Sequence, residues 1–333
     1  MSVKPEEDNS KRRRYANKII ESSPPINSLI DLVQVGHSIK FYRNIDCVML
    51  WRITPYLEQL DQLAGMGELK ETLFLQLVYY LQGMHKRGDG EEYLHTVLYG
   101  PPGCGKTTVA KIIGNIYKSM GILSDTGVFR TAHREDFIAG YLGQTATKTL
   151  KLLKSCVGGV LFIDEAYALA PDKDDRDSFA KEAVDTLNAF LSEHVNDFCC
   201  IIAGYEDAIE NSLFSLNEGL RSRFPWVHRI SPYDAKELTT ILLQKVESAD
   251  WQTDVGHAQL ERLFSSNMSL FVHTGRDIQT YLTKCKLNHA RRLLNESSVK
   301  RFVLGFVDFE AGIVMCQKKT PQKQSDVPPG IYI

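Results

Sequence analysis

The sequence predicts an α/β protein, an open parallel sheet sandwiched by helices and followed by a small all-helical domain. Two observations carry that expectation. Short apolar runs that end in glycine or acid, HTVLYG at 95–100, GVLFID at 159–164 and FCCIIAGY at 198–205, alternate with longer stretches of helical character. Strands so separated need helical crossovers, which cover both faces of a parallel sheet. After Pro232 the strand signals stop and apolar residues recur at helical spacing alone.

The elements follow in order. Residues 1–25 combine charge clusters, Ser and a Pro24-Pro25 pair with almost no apolar periodicity, so a disordered arm is expected there. From 26 to 60, Leu29, Ile30, Leu32 and Val33, then Val48, Met49, Leu50, Ile53, Leu57 and Leu60, predict two short helices that act as a packing extension. Met66 to Met84 reads as a helix ended by the charged turn KRGDGEE, after which HTVLYG is a buried strand. A helix is expected from Thr107 to about Met120, a strand near Val128 to Thr131, and a helix around Lys148 to Lys154. The strand GVLFID, a helix from about Ser178 to His194 and the strand FCCIIAGY complete the α/β part, assigned to 61–230. Helices at Ala235–Ser248, His257–Ser266 and Gly275–Asn295 make a lid domain over 231–316, and 317–333 is a flexible tail.

Composition narrows the classes. The 333 residues predict about two domains at roughly 150 residues each. With 39 Lys and Arg against 41 Asp and Glu, the net charge of -2 gives no global field for nucleic acid or an anionic membrane. Hydrophobic residues at 43% and charged residues at 24% match ordinary globular domains, and no run approaches the 18 or so apolar residues of a membrane span. The opening MSVKPEEDNSKRRR has acids where a secretion signal needs its apolar core. Seven cysteines without a C-x-x-C pair predict reduced thiols in an intracellular compartment, first of all the cytoplasm. Lys11 to Arg14 leaves a nuclear import signal or a phosphate-binding arm open.

Gly100, Pro101, Pro102, Gly103, Cys104, Gly105, Lys106 and Thr107 fit G-x-x-x-x-G-K-S/T between a strand and a helix, the context that makes this phosphate loop specific. Glycines let backbone N–H groups wrap phosphates, Lys106 neutralises the outer phosphates, and Thr107 offers an oxygen to Mg²⁺. Thr108 follows in the first helical turn and joins the expected nucleotide contacts. Further on, Val160 to Ile163 lead into Asp164 and Glu165, acids confined to the end of a strand buried on both faces. Asp164 suits the Mg²⁺ hydration shell, and Glu165 suits orienting or deprotonating the water that attacks the γ-phosphate. ATP and Mg are the expected cofactors, and the fold class becomes a P-loop NTPase with a helical lid.

From about Leu60 to Asn295 the sequence resembles AAA+ ATPases, within them the branch of the red-type rubisco activase and the sporulation stage V protein K. The resemblance rests on LAGMGELK, GPPGCGKTTVAK, YLGQTATKT, GGVLFIDEAYAL, IIAGYED, NEGLRSRF and TGRDIQTYL. The extension at 26–60 is longer than in the bacterial activases and is similar to extended forms in large DNA viruses. The resemblance implies an arginine finger at Arg223, helped by Arg221, reaching the neighbouring subunit's γ-phosphate. It also implies a sensor 2 arginine at Arg276 and a pore loop at Tyr141, Leu142 and Gly143 that grips extended polypeptide. Where many relatives keep Asn or Thr as sensor 1, this chain has Gly204-Tyr205-Glu206, so that role is unassigned.

The implied function is a Mg-ATP-hydrolysing ring ATPase, a hexamer by resemblance, that remodels or threads a client protein. Two alternatives stand beside it: a nucleic-acid motor or loader, disfavoured by the charge balance, and an ATP-dependent scaffold that binds without threading. The expected partners are copies of the same chain and a client protein of unknown identity, with no membrane involved. The acidic stretch Asp172 to Asp177 lacks the glycine and closing glutamate of a calcium loop and reads as solvated.

Overall fold

A computed structural model describes residues 19–20, 22–38, 40–86, 92–141, 143–170, 178–273, 275–295 and 300–317. Most of the arm expected at 1–25, Leu142 of the expected pore loop, the acidic stretch at 172–177 and the tail from 318 onward lie outside those residues. Within the arm, Ile19–Ile20 pairs in parallel with Phe41–Tyr42. The chain divides into two compact units, Met1–Pro232 and Tyr233–Ile333.

The first unit is built on five parallel strands: β1 (Thr96–Tyr99), β2 (Phe129–Ala132), β3 (Val160–Ile163), β4 (Cys199–Gly204) and β5 (Trp226–Arg229), in the order β2-β3-β4-β1-β5. Every residue of β1, β3 and β4 is buried, which is why their sequences are continuous apolar runs instead of alternating ones. The edge strand β5 was not expected from the sequence. It has one neighbour, so WVHR needs few apolar residues, and Pro225 and Pro232 disguise it as loop.

The longer helices among the described residues of this unit cover the sheet or extend it: α1 (Leu29–Gly36), α2 (Cys47–Asp61), α3 (Gly67–Leu81), α4 (Lys106–Ser119), α5 (Thr145–Lys154) and α6 (Ser178–Glu193). Leu152 and Leu153 of α5 with Val184, Leu187 and Leu191 of α6 form one apolar cluster with Leu161, Ile163, Cys200 and Ile202. Val160 has the opposite parity in β3 and faces α4, where a Cβ on Gly114 would lie 3.0 Å from its Cγ2. The extension thickens that side, since α2 packs against α1 and α4 and buries Leu50, Ile53, Leu57 and Leu60. Its two helices begin at Ser28 and Asp46, whose side chains accept the N–H groups of Asp31 and Met49.

The second unit holds α7 (Ala235–Glu247), α8 (His257–Ser265), α9 (Gly275–Leu293) and α10 (Phe306–Gln317) around Leu260, Phe264, Tyr281 and Phe309. Asp234 and Glu237 close a reciprocal capping box at the start of α7. The second unit differs from the sequence expectation in two places: Gln252–Thr253 pairs with Val303–Leu304, and α10 runs through a stretch where no helix is expected. The carboxylate of Asp308 in α10 is buried and receives Arg292, His289 and the N–H of Gly305. Burial pushes its pKa up, but those donors hold it below the usual value. A helix with a buried acid supplied from elsewhere in the chain gives no clean apolar stripe to read. Among the described residues no helix is long and apolar enough to cross a membrane.

Candidate nucleotide site

The sheet register brings the site together. Tyr99 is level with Gly204 and Arg229, and Ile163 is level with Ile202, so β1, β3 and β4 end at one edge of the sheet. In open α/β sheets the crevice outside the carboxyl ends of the strands is where ligands bind. Gly100 and Asp164 leave that edge on either side of β4.

Gly100 to Gly105 turn the chain from β1 onto α4. Gly103 and Gly105 adopt φ of 78° and 96°, a region that favours glycine. Gly100 is required for a different reason, since a Cβ there would lie 2.9 Å from both Cys104 Sγ and the Ile230 carbonyl oxygen. The Cys104 side chain is buried, and burial pushes its thiol up despite the nearby charge of Lys106. Lys106 folds back and donates to the carbonyls of Gly100 at 2.9 Å and Pro101 at 2.8 Å. No side chain caps α4, so the N–H groups of its first turn keep the arrangement that suits an anion. Thr107 is half-buried and Thr108 exposed in that turn, and Pro101 and Pro102 are half-buried beside it.

Opposite the loop, Asp164 follows β3 half-buried, and its Oδ1 accepts the Glu165 N–H at 3.1 Å. Asp164 lies near enough to the loop for its charge to act on the Cys104 thiol. Glu165 is exposed and held at φ 50°, a left-handed conformation uncommon for a side chain of this type. That bend carries the second carboxylate out of the line of the strand. Among the described residues no cluster of three or more His, Cys, Asp or Glu could cage a metal. One hydroxyl and one carboxylate, Thr107 and Asp164, are a hard-oxygen pair that fits Mg²⁺ taking its remaining ligands from phosphate and water.

The arginines lie beyond β4. Arg223 Nε donates to Ser192 Oγ at 3.1 Å and its guanidinium reaches the Gly219 carbonyl at 2.9 Å. Arg221 pairs with Glu210 at 3.3 Å and lies over the Phe214 ring at 5.4 Å. Glu210 also accepts the hydroxyl of Tyr99 at 2.5 Å, which joins the last residue of β1 to the arginine turn. The sequence reading missed this connection. Glu210 sits in a π-helical stretch, Ile209–Phe214, and nothing local points from it to Tyr99 across a separation of 111 positions. Arg229 and Glu206 form a second pair at 2.5 Å, and Arg229 holds the Glu206 carboxyl below its usual range.

Tyr141 stands 74% exposed in the loop between Phe137 and Thr145, whose base is pinned by Ala139 N–H on Thr145 Oγ1 and by Lys148 on the Ile138 carbonyl. Gly143 follows at φ 77°. Arg276 is exposed in the first turn of α9, in the second unit.

A phosphate loop between a central parallel strand and a helix, facing acids at the end of a second strand, defines a P-loop nucleotide-binding protein. Comparison with known proteins is more specific. The profile of the ATPase family associated with various cellular activities (AAA) matches residues 96–231. A cfxQ-like protein of Acanthamoeba polyphaga mimivirus is 36% identical over 291 residues, covering 86% of this chain and 71% of its own length. The stage V sporulation protein K of Bacillus subtilis is 36% identical over 59% of this chain and 61% of its own. The ESX-1 secretion system protein EccA1 of Mycobacterium tuberculosis is 45% identical over 55% of this chain but only 32% of its own. Among solved structures, the FIGL-1 AAA domain in complex with ADP aligns over 76% of this chain and 82% of its own at TM-score 0.56 and 17% identity. A Thermotoga maritima RuvB mutant aligns over 78% and 71% at TM-score 0.51 and 20% identity. The chain belongs to the AAA family of ATPases.

Proposed function

We propose that this protein is a Mg-ATP-hydrolysing ring ATPase that remodels or threads a client protein. The observation that carries the reading is the placement of the phosphate loop and the Asp164-Glu165 pair on either side of β4. In this reading Lys106 and the N–H groups of the loop hold the phosphates, with Gly100 to Thr108 as the contact segment. When bound with the nucleotide, Mg²⁺ neutralises charge on the phosphate oxygens, and Thr107 and Asp164 are the residues that hold it. Glu165 orients a water and takes its proton as the water oxygen bonds to the γ-phosphorus. The bond from the γ-phosphorus to the bridging oxygen breaks, and ADP leaves with that electron pair.

Arg223 acts on the γ-phosphate of a neighbouring copy, with Arg221 beside it, and a guanidinium suits charge spread over phosphoryl oxygens. Arg276, in the first turn of α9, is the sensor 2 arginine of this reading. A head-to-tail contact of this sort closes into a ring when its rotation permits. The exposure of Tyr141 on a pinned loop supports a role in gripping polypeptide, through apolar contact that reads no particular sequence.

The test is the solution mass of Glu165→Gln with and without Mg-ATP. A shift to about six subunits on adding ATP, lost when Arg223→Ala is added, is the expected result. A chain that binds ATP and stays monomeric sinks the ring.

A further inference from the structure

At the amino-terminal ends of β1 and β5, the edge of the sheet opposite the phosphate loop, a cavity of about 330 Å³ opens between Tyr79, Glu92, Tyr93, Pro225 and Trp226. Its walls are fixed from behind. The Trp226 indole N–H donates to the Tyr93 carbonyl at 3.0 Å, and the Tyr79 hydroxyl donates to the Glu92 carboxylate. The buried Tyr80 backs both rings, edge-on to Tyr79 at 5.8 Å and tilted against Trp226 at 6.1 Å.

Three aromatic side chains and one carboxylate make a selective environment. Among the described residues Glu92 has no basic partner, only the hydroxyl of Tyr79. A neutral apolar guest would strip water from that carboxylate and give nothing back, and an anion would be repelled. An organic cation meets the ring faces and the carboxylate together, and cation–π contacts strengthen as water is excluded. The volume lies at the lower end of the range of small-molecule sites, roughly 300 to 1,000 Å³, so it admits the head of one side chain more readily than a large ligand.

We propose that this pocket receives a basic side chain of a protein partner, the guanidinium of an arginine or the ammonium of a lysine. The charge is set against Glu92 and the stem lies along Trp226 and the tyrosine rings. Recognition of this kind needs neither nucleotide nor the arginine turn, so it stands apart from the ring reading.

The experiment uses the full chain and four short acetylated, amidated peptides: glycine-arginine-glycine, its citrulline counterpart, glycine-lysine-glycine and its norleucine counterpart. Binding is followed by tryptophan fluorescence, with Trp226→Phe as the control that should lose the signal. The expected result is saturable binding of the two basic peptides, with the uncharged counterparts at least about tenfold weaker. Glu92→Gln should weaken the basic peptides by a similar factor while nucleotide binding, measured on the same sample, reports an intact fold. Equal binding of citrulline and arginine, an unchanged response in Glu92→Gln, or no saturable response to either basic peptide overturns the proposal. Binding of tetramethylammonium without either basic peptide overturns it too, since the site would then serve a free cation.

Discussion

Glu210 joins Arg221 at 3.3 Å through the same Oε1 that accepts the hydroxyl of Tyr99, so one carboxylate oxygen ties the arginine turn to the residue that precedes the phosphate loop. Burial and the hydrogen bond to Glu210 push the Tyr99 phenol up, which keeps it a donor across the physiological range. Both members of the ion pair are about two-fifths exposed, and such a pair contributes at most about 1 kcal/mol to stability. Its larger consequence is where it holds the guanidinium.

Glu210→Gln is therefore predicted to leave thermal stability within about 1 kcal/mol and nucleotide affinity within about twofold. Under the proposed role of Arg221 beside the γ-phosphate, ATP turnover should fall by about tenfold, because displacing a guanidinium by an ångström takes it off the developing charge. Turnover and nucleotide titration on one preparation check this, and unchanged turnover removes Glu210 from the positioning of Arg221.

Lys106→Ala removes the charge that rests on the Gly100 and Pro101 carbonyls. Nucleotide affinity is expected to drop by at least about a hundredfold, the scale of losing a strong charge-assisted contact at roughly 1.4 kcal/mol per factor of ten. Calorimetric titration with ATP and ADP measures it. Binding retained within tenfold would move the phosphate site elsewhere.

Tyr141→Ala alters a side chain that is 74% exposed, so unfolding free energy should change by no more than about 0.5 kcal/mol. Under the threading proposal, stimulation of ATPase activity by an unfolded test protein such as casein should be lost. Full stimulation in the variant would favour a scaffold that binds without pulling.

Two buried histidines set an acid limit on the first unit. Burial lowers His95 to about 3 and His228 to about 4, so both stay neutral in the fold and protonate in the unfolded chain. With folded values below the unfolded one, the unfolded state binds more protons, and stability falls as pH drops from about 6.5 towards those values. Each contributes a slope approaching about 1.4 kcal/mol per pH unit near pH 5. Urea unfolding at several pH values should lose close to one such slope in His228→Gln. The same slope in wild type and variant would show that His228 does not titrate on unfolding.

The phosphate loop, the two acids after β3 and the α/β alternation were legible in the sequence because each is local. A glycine-rich turn must be contiguous to wrap phosphates, and a strand buried on both faces must be an apolar run. Tertiary structure alone decided the rest. The edge strand β5 is held by one neighbour and needs little of its own hydrophobicity. Helix α10 depends on a buried acid whose donors include Arg292 and His289 of α9. The pairing of Tyr99 with Glu210 and the meeting of Tyr79, Glu92 and Trp226 join residues far apart in the chain. Contacts of that kind follow from the crossing order of the strands, and no periodicity in the sequence encodes them.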